Sequence, residues 1–184
     1  MNNGFRGLAA ATLLLPAAAF AENLSYNYLE GGLALYPDFE SQDLFGLDTR
    51  GSVLLHENIF AFGGLKFLTD DVDLTALHVG GGYRHGLDAK TDIWGGVTLE
   101  YQEYEWDRGG DVDDTGLGFR AGLRHQLTND LELGIGGRVV TGDLDYVGLT
   151  GTARYAIEPD LKLFAELDVY DSEPGVLGGV TFEF

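Results

Sequence analysis

Few side chains of this 184-residue chain could act as nucleophiles or general bases. Beyond residue 21 there are four serines and four histidines, and only one histidine, His78, lies in the middle of a predicted strand. Ser52, Asp48 and His78 share one face of nearby predicted strands and could form a Ser-His-Asp hydrolase. A triad is defined by its geometry, however, which spacing along the chain does not supply. We therefore expect no catalytic residues and no enzymatic activity, and we keep a hydrolase as an alternative.

Metal-ligand patterns are weak. The histidine spacing fits no zinc site, and the absence of cysteine excludes thiolate ligands and disulfides. The strongest candidate is an acidic run in a predicted loop, where Asp111, Asp113 and Asp114 follow two glycines. Carboxylates suit calcium, but the run lacks the ligand spacing of the helix-loop-helix calcium site. We expect no resident cofactor, and a loop-bound divalent cation remains the one candidate.

The charge balance is strongly acidic. The chain has 30 Asp and Glu residues against 11 Lys and Arg residues, which gives a formal net charge of −19. A surface of this sign repels phosphate backbones, so nucleic acid is excluded as a partner. Most of the acidity is predicted in loops, where a solvated surface is its ordinary role.

Apolar and polar side chains alternate in segment after segment, which is the pattern of β-strands with two different faces. In residues 117–124, for example, Leu117 and Phe119 oppose Arg120 and Arg124. We count ten such segments, including an N-terminal one over residues 24–35 whose Glu30 opposes a face of leucines. The predicted fold is an all-β, antiparallel up-and-down transmembrane barrel of ten strands. Eight strands with longer loops is the alternative.

The polar face carries the charges that lie within the strands. Eight of the 11 basic residues lie on it, together with seven acidic residues. A soluble barrel would turn such a face outward, but abundant glycine and arginine suit a narrow lumen. Near-equal numbers of bases and acids predict paired charges that plug the lumen, because unpaired buried charges are costly. The predicted lumen charge network is Glu30, Asp48, Arg50, Lys66, Arg84, Glu100, Arg120, Arg124, Glu132, Arg138, Arg154, Lys162, Glu166, Asp168 and Glu183.

Two further patterns suit a membrane. Aromatic residues of the apolar face gather near both ends of the segments, as in the aromatic girdles of membrane barrels. The connections alternate between short turns, such as residues 128–130, and longer acidic loops, predicted at 36–43, 69–73, 106–114, 142–145 and 171–175. Outer-membrane barrels have short periplasmic turns and longer extracellular loops. A barrel in lipid must also close, so the first and last strands are expected to pair.

The N-terminus predicts export. One arginine, Arg6, an apolar core and the small-x-small site at residues 19–21 form a secretory signal peptide over residues 1–21. The mature barrel domain is then residues 22–184. Export to a membrane agrees with the alternating segments that follow.

The chain resembles the small outer-membrane barrels of Gram-negative bacteria, the opacity-protein and outer-membrane-protein-A-like group. Residues 23–32 (NLSYNYLEGG) look like the mature start of such a barrel, and residues 176–184 (VLGGVTFEF) form an alternating terminal strand with a free aromatic end. The resemblance implies that Phe182 and Phe184 are an assembly signal for the barrel-assembly machinery. It also implies the cell outer membrane, with its lipid and lipopolysaccharide as partners, and no shared catalytic residues.

Taken together, the predicted function is a structural or interaction role at the cell surface, performed by a monomer with a plugged lumen. A small passive, porin-like channel is the alternative. A membrane-embedded hydrolase is the third.

Overall fold

A computed structural model describes residues 24–39, 42–70, 72–106 and 110–184. The predicted signal peptide and the predicted mature start at Glu22 lie outside these residues. The described chain forms ten antiparallel strands closed into one barrel, as predicted. The strands are β1 (Tyr28–Phe39), β2 (Gln42–His56), β3 (Ile59–Thr69), β4 (Val72–Asp88), β5 (Thr91–Trp106), β6 (Asp111–Gln126), β7 (Leu131–Gly142), β8 (Tyr146–Glu158), β9 (Leu161–Tyr170) and β10 (Glu173–Glu183).

Each strand pairs with its neighbours in sequence, and β1 closes the barrel against β10. The closing register runs from Tyr28 opposite Glu183 to Leu35 opposite Val176. Closure leaves no sheet edge along the membrane-spanning part, where unpaired backbone groups would each cost several kcal/mol. Because the strand count is even, the start of β1 and the end of β10 lie at the same end of the barrel. We call this the turn end and the opposite one the loop end.

The outer face is apolar. Leu33 is 69% exposed, and Ile135 and Leu167 are each 65% exposed, so large aliphatic side chains point away from the barrel. Phe45 and Phe67 near the loop end and Tyr155 near the turn end are also about half exposed. An apolar outer band with aromatic residues at its borders fits a bilayer. Among the described residues, no helix is long and apolar enough to cross a membrane.

The first strand differs from its prediction. It was expected over residues 24–35, but β1 begins at Tyr28 and continues to Phe39. Residues 24–27 lie outside the strand, and side chains of other strands bind two of their backbone carbonyls: Arg124 Nη1 donates to Ser25 at 2.7 Å and Arg84 Nη1 to Leu24 at 3.4 Å. The predicted faces of β1 hold, with Glu30 buried and Leu29 60% exposed.

The prediction of longer loops at one end was wrong. Connections at the loop end span only residues 40–41, 70–71, 107–110, 143–145 and 171–172. The acidic segments continue the strands instead: Glu105 pairs with Asp111, whereas pairing between β6 and β7 begins only at Gly116 opposite Gly142. Gly142, with φ of 130°, turns β7 away at this point. The outer ends of β4, β5 and β6 therefore project as an acidic extension, which we call the acidic ledge.

Bulky inward side chains fit over glycines of neighbouring strands. A Cβ atom placed on Gly96 would lie 2.9 Å from the Phe62 ring, and one on Gly122 would lie 2.8 Å from the Trp94 indole nitrogen. Absence of a side chain at these positions therefore lets the rings lie flat against the wall. The glycine-rich inner face is a packing surface rather than an empty one.

Two adjacent glycines in the closing strand give a matched test. A Cβ atom on Gly179 would lie 2.2 Å from the carbonyl oxygen of Gly31 in β1, whereas one on Gly178 would point to lipid and lie 3.7 Å from the nearest atom. We expect Gly179→Ala to lower the free energy of unfolding by about 1–3 kcal/mol, the cost of overpacking. Gly178→Ala should leave it nearly unchanged. Urea unfolding in lipid vesicles compares the two, and equal midpoints would contradict the seam packing.

The orientation in the membrane can be tested by labelling single introduced cysteines, because the chain has no cysteine of its own. Since export leaves the chain ends on the periplasmic side, we expect Asp113→Cys and Asp145→Cys at the loop end to react on intact cells. Asn129→Cys and Asp160→Cys at the turn end should react only after the outer membrane is opened. Reaction of Asn129→Cys on intact cells would show that the barrel has the opposite orientation.

Candidate functional site: the charged lumen

The fifteen predicted network residues all point into the barrel and all take part in ion pairs. Most of them form one connected network, which we call the lumen network. Its links join strands that lie far apart in sequence, such as Arg154 of β8 and Glu30 of β1 at 2.8 Å. The members are Glu30, Asp48, Arg50, Arg124, Glu132, Arg138, Arg154, Lys162, Glu166, Asp168, Glu183 and Lys66.

Glu132 is the hub toward the turn end. Its side chain is 1% exposed and accepts hydrogen bonds from Arg124 through two nitrogens, at 2.8 and 3.0 Å. Arg154 and Lys162 reach the same carboxylate at 3.3 and 3.5 Å. Lys162 also binds Glu183 at 2.8 Å. Three cations therefore depend on one buried carboxylate.

Arg50 is the corresponding hub in the middle of the lumen. Its guanidinium lies 2.7 Å from Glu30, 3.1 Å from Asp48 and 2.9 Å from Glu166. Thr181 donates a further hydrogen bond to Glu30 at 2.6 Å. Planar guanidinium groups can pair with several carboxylates at once, which explains the preference for arginine here.

Toward the loop end, the network ends on a tyrosine. Arg138 binds Asp168 through two nitrogens, at 2.8 and 3.1 Å, and the Tyr36 hydroxyl donates to Asp168 at 2.6 Å. The ammonium of Lys66 contacts the Tyr36 hydroxyl and lies 3.5 Å from Asp48. The charges are thus joined across the lumen by hydrogen bonds that leave few of their groups unpaired.

Two ion pairs stand apart from the network. Arg120 binds Glu100 through two nitrogens, at 3.0 and 2.8 Å. Arg84 lies 3.3 Å from Asp92, a fully buried carboxylate that the sequence prediction missed because it falls between the predicted turn, which ended at Lys90, and the predicted strand, which began at Ile93. With Asp92 included, eight bases face eight acids in the described lumen, so the lumen charges balance in sign and number.

Beyond the network, the loop end of the lumen is apolar. A buried cluster fills it, and Tyr104 and Tyr170 pack against this cluster. A second group, Val140, Leu144 and Tyr146, continues it, with the Tyr146 and Tyr170 rings 4.4 Å apart. We call these residues the loop-end cap. The main cluster consists of Ala34, Tyr36, Leu44, Leu68, Leu74, Phe164 and Leu177.

The loop-end cap was not predicted from the sequence, although the sequence carries a signal for it. Leu44, Leu68 and Leu74 share the parity of the lumen charges, as do the rings of Phe60 and Trp94 at the other end. Extending the alternation of faces to the ends of each strand would have placed these side chains inside the barrel. They were not placed there because the predicted loops and turns made the predicted strands too short.

The turn end is occupied by residues 24–27, the N-terminal segment. Leu24 and Tyr26 are 3% and 4% exposed. The Tyr26 ring lies 4.8 Å from the Phe60 ring, and the guanidiniums of Arg84 and Arg124 lie 4.9 and 4.7 Å from its centre. Burial raises the pKa of the Tyr26 phenol above its ordinary value, so the side chain is neutral where it packs in the lumen.

A cavity of about 200 Å³ lies in the lumen between the loop-end cap and the N-terminal segment. Its wall combines network residues with aromatic rings, including Phe62, Trp94 and Tyr26. The network charges in this wall suit water, whereas the rings make the rest of it apolar.

The residues of the hydrolase alternative are not assembled. Asp48 is engaged by Arg50 and Lys66, and the buried Ser52 hydroxyl has no hydrogen-bond partner. Ser52 lies opposite Phe62 in β3, whose ring is 6.3 Å from that of His78. The serine therefore lacks the adjacent base that activates a nucleophile.

The acidic metal candidates also sit differently from their prediction. Asp113 and Asp114 lie in β6 rather than in a loop, so their side chains point to opposite faces. The Asp111 side chain lies outside the described residues. No group of three or more His, Asp or Glu side chains in the described ranges could hold a metal ion.

No protein-family model and no curated protein sequence matches this chain. Among solved structures, the barrel is similar to the KdgM porin, with a TM-score of 0.52 and 11% identity over 85% of this chain and 99% of that chain. It is also similar to Neisserial surface protein A, with a TM-score of 0.45 and 14% identity over 87% and 98% of the two chains. A third similar structure is Ail, the attachment invasion locus protein of Yersinia pestis, with a TM-score of 0.41 and 8% identity over 85% of this chain and 95% of that chain.

At these identities the similarity concerns the fold. The chain has the fold of the outer-membrane β-barrels, and its apolar outer face suits the cell outer membrane. The expected class is thereby confirmed, and no comparison singles out the opacity-protein group.

Proposed function

We propose that this protein is a closed outer-membrane barrel with a structural or interaction role at the cell surface. The observation that carries the proposal is the lumen network, which spans the barrel interior with paired charges. The loop-end cap and the N-terminal segment cover its two ends. A selective pore would more naturally carry a ring of one charge sign around an open path.

The interaction surface in this proposal is the acidic ledge. Asp73, Glu103, Glu105 and Asp113 are on the outer parts of β4, β5 and β6, where Glu103 lies opposite Asp113. Like charges in directly opposed positions destabilise a sheet. Their presence therefore favours a role in binding rather than in stabilising the fold. Divalent cations bridging these carboxylates to the phosphates of lipopolysaccharide would relieve the repulsion.

Two partners belong to the same proposal. Membrane lipid contacts the apolar outer face of a monomer, and the barrel-assembly machinery receives the terminal strand with Phe182 and Phe184. Neither partner needs a resident cofactor or a catalytic residue, and no enzymatic activity is proposed.

A small passive channel is the second candidate. The observation in its favour is the cavity of about 200 Å³ inside the barrel, together with the similarity in fold to the KdgM porin. Opening would require displacing both the cap and the N-terminal segment. The hydrolase alternative lacks an assembled triad.

Liposome swelling tests the proposal. Purified protein in liposomes should not admit small sugars or amino acids at a rate above that of protein-free liposomes, whereas a general porin in the same lipid should. Swelling with the smallest solutes would favour the channel candidate. Hydrolysis of lipid or peptide substrates by the same sample, lost on Ser52→Ala, would favour the hydrolase.

A further inference from the structure

The N-terminal segment is held in the turn end in a different way from the rest of the wall. Residues 24–27 precede β1 and belong to no strand. Their main attachments are hydrogen bonds from Arg124 to the Ser25 carbonyl at 2.7 Å and from Arg84 to the Leu24 carbonyl at 3.4 Å. At the last residue of the segment, the backbone N–H of Leu54 donates to Asn27 Oδ1 at 2.7 Å and that of Phe184 donates to the Asn27 carbonyl at 3.1 Å.

The core of this attachment is the Tyr26 ring. It packs on Phe60 and lies near the faces of two guanidiniums that are already paired, Arg84 with Asp92 and Arg124 with Glu132. The arginines therefore keep a carboxylate partner whether or not the segment is present. Withdrawal of the segment would leave no buried charge unpaired, so it costs far less than breaking the network.

Space for such a movement exists beside the segment. A groove of about 700 Å³ lies at the turn end, with Leu24 and Ser25 on one side and Lys162, Glu183 and residues 156–159 among its other lining residues. The segment is thus packed against the lumen on one side and bordered by open space on the other. The segment belongs to no strand, and parts outside the sheet open at a lower free energy than the sheet itself.

We propose that residues 24–27 form a detachable plug that closes the lumen cavity to the periplasm, with Tyr26 as the stopper. Withdrawal of the plug admits small solutes from the periplasmic side as far as the cavity, while the loop-end cap still closes the other end. The inference rests on the proposed closed lumen and adds a movable gate at one end of it.

Thiol labelling at the cavity tests the plug. Thr150 lines the cavity, and the chain has no cysteine, so Thr150→Cys is a single reporter there. With purified folded protein in nanodiscs, a small charged methanethiosulfonate should label this cysteine slowly. Adding Tyr26→Ala should raise the labelling rate by roughly tenfold to a hundredfold, as loss of a large buried ring does to an opening equilibrium.

Matched variants make the result specific. Tyr26→Phe keeps the ring and should keep slow labelling. Tyr155→Ala removes a tyrosine near the same end from the outer face, where it is 53% exposed, and should also leave the rate unchanged. If Tyr26→Ala does not fold, as judged by a heat-modifiability gel, Leu24→Ala carries the test with a smaller increase.

The outcomes separate the two proposals. Slow labelling in every variant that folds would overturn the plug and leave the closed barrel standing. Fast labelling in the Thr150→Cys protein with an intact segment would overturn both. A similar rise in Tyr155→Ala would mean that general loosening of the barrel, not the plug, controls access.

Discussion

Replacing Glu132 with alanine is expected to lower the free energy of unfolding by about 3–5 kcal/mol, the cost of breaking a buried ion pair by removing one partner. The change leaves Arg124 without its carboxylate partner. Arg154 and Lys162 each lose one of two carboxylate partners, and they keep Glu30 and Glu183, respectively. Urea unfolding in lipid vesicles measures the loss. No other single carboxylate of the described lumen serves three cations at the turn end.

Two controls test whether the loss comes from the ion pairs of Glu132. Glu158→Ala, in an exposed position near the same end, should change the free energy of unfolding by less than about 0.5 kcal/mol. The double variant Glu132→Ala with Arg124→Ala should be less destabilised than the sum of its single variants, because the residues are in contact. Additive losses would mean that the pair is not coupled.

Deletion of residues 182–184 is expected to reduce the amount of protein in the outer membrane several-fold, the scale on which such losses change abundance. Phe182 pairs with Leu29 of β1, and the backbone N–H of Phe184 donates to the Asn27 carbonyl at 3.1 Å. The deletion therefore removes the pairing that closes the turn end of the barrel. Comparison of the outer-membrane and periplasmic pools by immunoblotting measures it.

A milder variant separates pairing from recognition of the aromatic end. Phe184→Ala keeps the backbone hydrogen bond and removes only the exposed ring, so a loss of membrane insertion would point to recognition during assembly. Phe45→Ala removes a similarly exposed ring at the loop end, 56% against 62% for Phe184, and should insert normally. Normal membrane levels of the deletion would contradict both ideas.

Alternation along the sequence predicted the fold and the inner face well, for a physical reason. A strand in a closed barrel has one face in lipid and one in the lumen, so residues such as Leu123 and Arg124 cannot exchange places without a large cost. The parity that placed Arg124 and Glu132 inside also placed them on neighbouring strands. Their pairing then followed from the need to neutralise buried charge.

The sequence did not predict what depends on contacts between distant strands. Residues 24–27 have strand-like alternation, but they lie outside the sheet, where Arg124, 99 residues along the chain from Ser25, binds the Ser25 carbonyl. Asp and Gly near residues 111–114 suggested a loop, but pairing with β5 overrides that local preference. Asp92 was missed because the predicted strand began at Ile93, whereas β5 begins at Thr91 and turns Asp92 inward to Arg84.

Single-channel recording in planar bilayers tests the closed lumen most directly. The protein should insert, as shown by its heat-modifiable band from the same sample, and produce no stable openings in concentrated potassium chloride. A variant lacking the loop-end cap contacts, such as Leu44→Ala with Leu74→Ala, combined with Tyr26→Ala, should begin to show brief openings. Large, stable and ion-selective openings of the unmodified protein would contradict the closed barrel and establish the channel in its place.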